Sequence, residues 1–249
     1  MAELVYRPII AAAKTTFAGL GLRFDIVGLE NMPRTGGAVL AMNHTSYLDF
    51  ALGGIPADRV GHRLVRFMAK ESIFRHPVAG PLMRGMHHIP VDRDAGSAAF
   101  RDAVDALKAG ELVGVFPEAT MSRSLEIKEI KNGAVRMARV AKAPLIPMII
   151  FGGHRILSYG HKDLSRGRTI AMTIGAPIPN ERGMDADEVT ELLRARLSEL
   201  LDETIERYPG KEAGAWWLPA RWGGTAPTPE EAVEIEERVR REKAERRKK

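Results

Sequence analysis

The sequence predicts an α/β protein in which a mixed, largely parallel sheet is flanked by helices. Two observations carry this. Apolar runs too short for helices (38–42, 112–116, 145–151) alternate with longer stretches of helical period (95–109, 127–141, 185–208). Each element also ends on a breaker, such as Gly110, Pro117 or Pro209-Gly210. With 249 residues, 45% of them apolar and 28% charged, the chain can build a packed core as one large or two small domains.

Along the chain, residues 3–20 set Leu4, Val5, Ile9, Ile10, Ala13, Phe17 and Leu20 around Arg7 and Lys14, the pattern of an amphipathic helix. Its apolar face suits either the protein's own core or a membrane interface. Residues 22–29 read as a strand closed by Asn31-Met32-Pro33 and Gly36-Gly37. Strand 38–42 runs into the polar cluster Asn43-His44-Thr45-Ser46-Tyr47-Leu48-Asp49 and then Phe50-Ala51-Leu52, which reads as strand, loop, helix. After a strand at 65–69, residues 70–86 form short helices around Pro77 and Pro81. There Ile73, Phe74, Val78, Leu82 and Met83 mix with Lys70, Arg75, His76 and Arg84, which fits a solvated face or an edge that meets anionic lipid.

Residues 88–93 are extended, 95–109 helical, 112–116 a strand, 127–141 helical, 145–151 and 169–174 strands, and 185–208 a long amphipathic helix. Residues 209–229 are rich in Gly, Pro and Ala, and their Trp216, Trp217 and Trp222 form either a clamp on the tail or an interfacial anchor. Residues 229–249 read as a charged helix. The expected division is thus an N-terminal amphipathic helix (1–22), a folded domain (23–208), and a linker with a basic C-terminal helix (209–249).

Composition narrows the chemistry. The absence of cysteine excludes a thiol nucleophile, disulfides and thiolate metal sites. The net charge of +5 resides in residues 240–249, where seven basic side chains face two acidic ones, so the excess belongs to a tail and argues against a nucleic-acid binder. The run 8–13 is far shorter than the roughly 20 apolar residues of a membrane span, and the pattern of a signal peptide is missing. His87 and His88 are adjacent and would face opposite sides of a strand, and no His-Glu-x-x-His occurs, which argues against a metal hydrolase.

In an open α/β sheet, ligands gather at the carboxyl ends of the strands. Three polar clusters fall there: 43–49, Asp92-Arg93, and Glu118-Ala119-Thr120-Met121-Ser122-Arg123. On one helix, His44 and Asp49 would stand about 140° apart. With His44 ahead of the helix that objection disappears, and the carboxylate can hold one ring nitrogen and leave the other as a base. Ser46-x-x-Asp49 is equally a capping box, a purely structural role.

Together these clusters resemble the 1-acylglycerol-3-phosphate acyltransferase family. The first motif matches His44 and Asp49, the second runs from Gly85 through Ile89-Pro90-Val91-Asp92-Arg93, the third is Phe116-Pro117-Glu118-Ala119-Thr120, and the fourth Pro144-Leu145-Ile146-Pro147. Lys131-Asn132-Gly133-Ala134 resembles the family's lysine-x-Gly-Ala helix, and the likeness covers about residues 29–175. The resemblance implies a glycerol-3-phosphate acyltransferase-like fold and transfer of an acyl chain from acyl-CoA or acyl-carrier protein to lysophosphatidic acid, with no cofactor. It implies His44 as general base, Asp49 as its partner, and Arg93, Glu118, Ala119, Thr120 and Lys131 as acceptor contacts. It also implies a peripheral protein on an anionic membrane surface at the cytoplasmic face. One residue departs: Ala119 stands where the family has glycine, and alanine resists positive φ. Acceptor choice is the property this departure bears on.

Overall fold

The computed structural model describes residues 2–92 and 96–246. In chain order it runs α1 (Ala2–Gly19), β1 (Arg23–Val27), β2 (Ala38–Met42), α2 (Asp49–Leu52), α3 (Ile55–Gly61), β3 (Val65–Lys70), α4 (Glu71–Phe74), α5 (Ala79–Gly85), β4 (Ile89–Val91), α6 (Ser97–Lys108) and β5 (Leu112–Val115). It continues with α7 (Gly133–Ala141), β6 (Leu145–Phe151), β7 (Leu157–Ser158), β8 (His161–Lys162), β9 (Thr169–Ile174), α8 (Ala186–Arg207) and α9 (Pro229–Arg246).

Seven strands form one sheet in the order β1-β9-β6-β2-β5-β3-β4. The five from β6 to β4 are parallel to one another, while β9 runs antiparallel to β6 and β1 parallel to β9. This is the mixed, mostly parallel sheet expected. β2 and β6 are buried along their whole length, which is why they read as unbroken apolar runs rather than alternating ones.

The alternation of side chains splits the core into two layers. Val39 and Ala41 face a cluster with Ala103 and Leu107 of α6, Val135 of α7, and Leu193, Leu197 and Leu200 of α8. Leu40 and Met42 face the opposite side, with Phe17 of α1, Leu52 of α2 and Ala57 of α3. Each fully buried aliphatic side chain contributes about 1.5–3 kcal/mol of transfer free energy. α8 is capped by Asp185, whose side chain accepts from the amides of Asp187 at 2.6 Å and Glu188 at 3.2 Å.

Several elements differ from the sequence reading, among them α3, which it did not name. The helix expected over 127–141 begins only at Gly133, because the stretch before it is held by other partners: the Lys128 amide donates to Glu118 and the Lys131 amide to the Pro117 carbonyl. The two-residue strands β7 and β8 pair as a hairpin that no periodicity could announce. Of the three tryptophans, Trp217 packs beside Phe151 and Tyr208, Trp222 donates its indole N–H to Asp202 at 2.8 Å, and Trp216 lies over the His161 ring at the surface. Among the described residues no helix is long and apolar enough to cross a membrane.

Gly114, in the middle of β5, leaves room for the Phe67 ring, which a Cβ would meet at 2.7 Å. Phe67 in turn stacks on Phe116 at 6.1 Å, the ring beneath the candidate site. Gly114→Ala is expected to lower stability by about 1–3 kcal/mol through overpacking, measured by urea denaturation.

Candidate active site

β2 ends at Met42, and Asn43 fastens that end to its neighbour strand: its side-chain amide donates to the Ile150 carbonyl at 3.1 Å and its carbonyl accepts from the Ile150 amide at 2.8 Å. The chain then leaves the sheet as a loop, and α2 starts at Asp49. His44 therefore precedes the helix, and its Nδ1 lies 3.0 Å from Asp49 Oδ2. That oxygen also accepts from the amides of Thr45 and Ser46, each at 2.7 Å. One carboxylate thus serves both roles read from the sequence: it closes the turn ahead of the helix, and it holds the imidazole.

Asp49 is fully buried, whereas the His44 side chain keeps 23% of its surface exposed. Burial pushes the Asp49 carboxyl up, opposed by His44 and by the two amides. With those two amides already on Oδ2, the imidazole contact is best made by an Nδ1–H donor, leaving Nε2 bare as a base. The ring is stacked on Phe116 at 4.4 Å between centroids, which fixes its plane.

The loop after β5 holds the His44 backbone. Glu118 Oε1 accepts from the His44 amide at 2.9 Å, and the His44 carbonyl accepts from the Ser122 amide at 2.7 Å. Glu118 Oε2 accepts from the Lys128 amide at 3.2 Å. Both oxygens of this buried carboxylate are therefore turned to main-chain donors, and it braces the His44 loop. Burial pushes Glu118 up to about 8, against the pull of the two amides and the Lys128 charge and with help from nearby Asp49.

Ala119 adopts φ 62°, the left-handed conformation that its side chain disfavours. Thr120 Oγ1 accepts from Lys128 Nζ at 2.6 Å. Lys131 and Ala119 line the same cavity as His44. Arg93 lies outside the described residues. Arg123, given no role in the sequence reading, has its guanidinium over the Tyr159 ring at 4.1 Å and its buried Nε without a hydrogen-bond partner. Its position beside Ser122, which touches His44, is the signal that could have marked it.

The cavity at His44 has a volume of about 640 Å³ and runs from Tyr47 to Met68, Met83, Phe100 and Met137. Most of its lining is apolar, with His44, Lys70, Asp92 and Lys131 as the charged or titratable groups, the form of a site for a chain-bearing ligand with a polar head. Among the described residues no cluster of His, Cys, Asp or Glu could hold a metal ion.

Comparison with known proteins agrees with this layout. A family model described as Acyltransferase matches residues 23–151. The 1-acyl-sn-glycerol-3-phosphate acyltransferase of Bacillus subtilis is 32% identical over 69% of this chain and 84% of its own length. The chloroplastic 1-acyl-sn-glycerol-3-phosphate acyltransferase LPAT1 of Arabidopsis thaliana is 28% identical over 72% of this chain, which spans about half (49%) of that longer protein. The crystal structure of the 1-acyl-sn-glycerophosphate acyltransferase PlsC from Thermotoga maritima shares the fold, with a TM-score of 0.68, 22% identity, and coverage of 84% of this chain and 83% of that one.

The raised Glu118 carboxyl has a pH signature. A group whose folded pKa lies above its unfolded value binds more protons when folded, so its stabilising contribution is complete below about pH 4.5 and is lost as pH rises through about 8. Asp49 acts with the same sign. Glu118→Gln is therefore expected to flatten, without abolishing, the fall in melting temperature between pH 5 and 8, followed by thermal unfolding across a pH series. Ala119→Gly is expected to stabilise the protein by about 1 kcal/mol by relieving the left-handed alanine, read from a shift in urea midpoint.

Proposed function

The chain belongs to the 1-acyl-sn-glycerol-3-phosphate acyltransferase family, and on that premise we propose that it transfers an acyl chain from acyl-CoA or acyl-carrier protein to the sn-2 hydroxyl of 1-acylglycerol-3-phosphate, giving phosphatidic acid. The observation that carries this reading is the His44–Asp49 pair, set at 3.0 Å, with His44 lining a cavity of about 640 Å³ whose walls are mostly apolar.

A thioester is already activated, so the reaction needs a base and a bound acceptor rather than a covalent acyl-enzyme or a cofactor. His44 Nε2 takes the proton of the sn-2 hydroxyl while that oxygen attacks the thioester carbonyl. Asp49 stabilises the imidazolium that forms. Collapse of the tetrahedral intermediate breaks the carbon–sulfur bond, and the imidazolium returns its proton to the leaving thiolate. The atoms balance: ester and free thiol replace alcohol and thioester.

The apolar walls, including Met68, Met83 and Phe100, accommodate an acyl chain. Lys131, which lines the cavity together with Ala119, would supply charge for the acceptor phosphate along with Arg93, Arg123 and the Ala119–Thr120 amides; a guanidinium suits a bidentate phosphate contact. Glu118 acts one step away, by holding the His44 backbone. Val5 of α1, Ile73 of α4, Leu82 of α5 and Val78 just ahead of α5 are exposed, and Ile73 also lines the cavity. Those exposed apolar residues, with Arg75 after α4, Arg84 of α5 and the basic residues 240–249, support a peripheral seat on an anionic bilayer at the cytoplasmic face.

The test is thiol release from palmitoyl-CoA by the purified protein, with and without lysophosphatidic acid, and mass spectrometry of the lipid product. Acceptor-dependent release with phosphatidic acid formed is expected. His44→Ala should abolish it while changing the melting temperature by no more than a few degrees, because that ring is partly exposed. Release without acceptor would mean a thioesterase, and product only with another acceptor would move the substrate assignment. No release with any donor or acceptor would leave a non-catalytic membrane-binding module.

A further inference from the structure

The stretch between β5 and α7 carries Phe116, Glu118 and Ser122, the residues that hold His44, yet it has no helix or strand of its own. Its Met121 and Leu125 are buried and Ile127 and Ile130 pack on the core, but without a backbone ladder its register also depends on contacts from outside the stretch. Two ion pairs supply such contacts, both from the chain beyond α8. Arg221 donates to Glu126 at 2.7 Å and is tied back to Asp202 of α8 at 2.5 Å. Lys128 Nζ donates to Glu236 of α9 at 2.8 Å and to Thr120 Oγ1 at 2.6 Å.

Lys128 has a second connection. Its backbone amide is the donor to Glu118 Oε2, and the other oxygen of Glu118 holds the His44 amide. One residue thus joins α9 to the brace of the candidate base. α9 itself has little reason to sit where it does on apolar grounds: Ala232 is its one buried residue among those described. Residues 229–237 carry five acidic side chains and no basic one, so this half of the helix presents carboxylates to a loop that offers Lys128.

We propose that α9 is a strap on the catalytic loop, and that Lys128 and Glu236 are positioning residues for His44. The Glu236 carboxylate holds the Lys128 ammonium against Thr120, and so keeps the Lys128 amide on Glu118 and Glu118 on the His44 backbone. Only the activity readout of this inference rests on the acyl-transfer reading. Because the two side chains are 23% and 34% exposed, the pair adds little to global stability; its effect is on the order of one loop.

The experiment uses the full chain with Glu236→Gln, Lys128→Met and the double variant, assayed with palmitoyl-CoA and lysophosphatidic acid in neutral-detergent micelles. Amide hydrogen exchange is measured on the same proteins. Each single variant is expected to lose about two- to fivefold in kcat with KM within about twofold, and the double to fall no further than Lys128→Met. Exchange over residues 118–131 should speed up in all three, while β2, β6 and the melting temperature stay as in the wild type. Unchanged loop exchange would overturn the proposal whatever the activity. A raised KM with unchanged kcat would overturn it too, making Lys128 a substrate contact. If the wild type itself showed no acceptor-dependent turnover, the acyl-transfer reading would fail and exchange alone would decide the strap.

Discussion

One buried oxygen organises this site. Asp49 Oδ2 accepts from two backbone amides and stands 3.0 Å from the imidazole of His44, while the rest of the carboxyl is sealed from water. A carboxylate in that position is costly unless donors surround it. The donors that offset the cost are the turn leaving β2 and the histidine itself. Shifting the turn by one residue would strand the carboxylate, so the same interaction that stabilises the loop also sets the ring in one place. This is a structural reason for α2 to begin at Asp49, and a chemical reason for His44 to lie outside it.

A second buried carboxylate repeats the device from the neighbouring strand. Glu118 follows β5, beside β2 in the sheet, and spends its two oxygens on the amides of His44 and Lys128. Phe116 supports the His44 ring from below, and the Ser122 amide closes the contact with the His44 carbonyl. The imidazole is thus held by main chain, ring stacking and one carboxylate, all at the carboxyl ends of adjacent parallel strands. Such preorganisation suits the proposed transfer from an activated thioester, which asks for orientation of a base and of two bound chains with little covalent work left over.

Much of this could be read from the sequence, for identifiable reasons. β2, β6 and α8 were legible because burial on both faces, or a long apolar stripe, imprints directly on residue order. The His44–Asp49 pair was legible because a strand, a polar turn and a helix start lie within a dozen residues. The late start of α7 was not, since residues 127–132 have helical composition but take their hydrogen bonds from Glu118 and Pro117, which are distant in pattern. The turning of Glu118 toward the backbone was hidden for the same reason: residue type announces a carboxylate, and only packing says what it faces. The left-handed Ala119 could be suspected from the missing glycine, yet its φ of 62° follows from the turn that swings Glu118 inward.

If Asp49 holds His44 as the geometry indicates, Nδ1 is protonated and Nε2 bare. The ¹⁵N chemical shifts of the two His44 ring nitrogens near neutral pH, assigned by comparison with His44→Gln, decide this. A protonated Nδ1 and an Nε2 with the shift of an unprotonated imidazole nitrogen are expected. A bare Nδ1 with the proton on Nε2 would mean that Asp49 donates to the ring as a neutral acid. His44 would then be held as part of a cap rather than poised as a base.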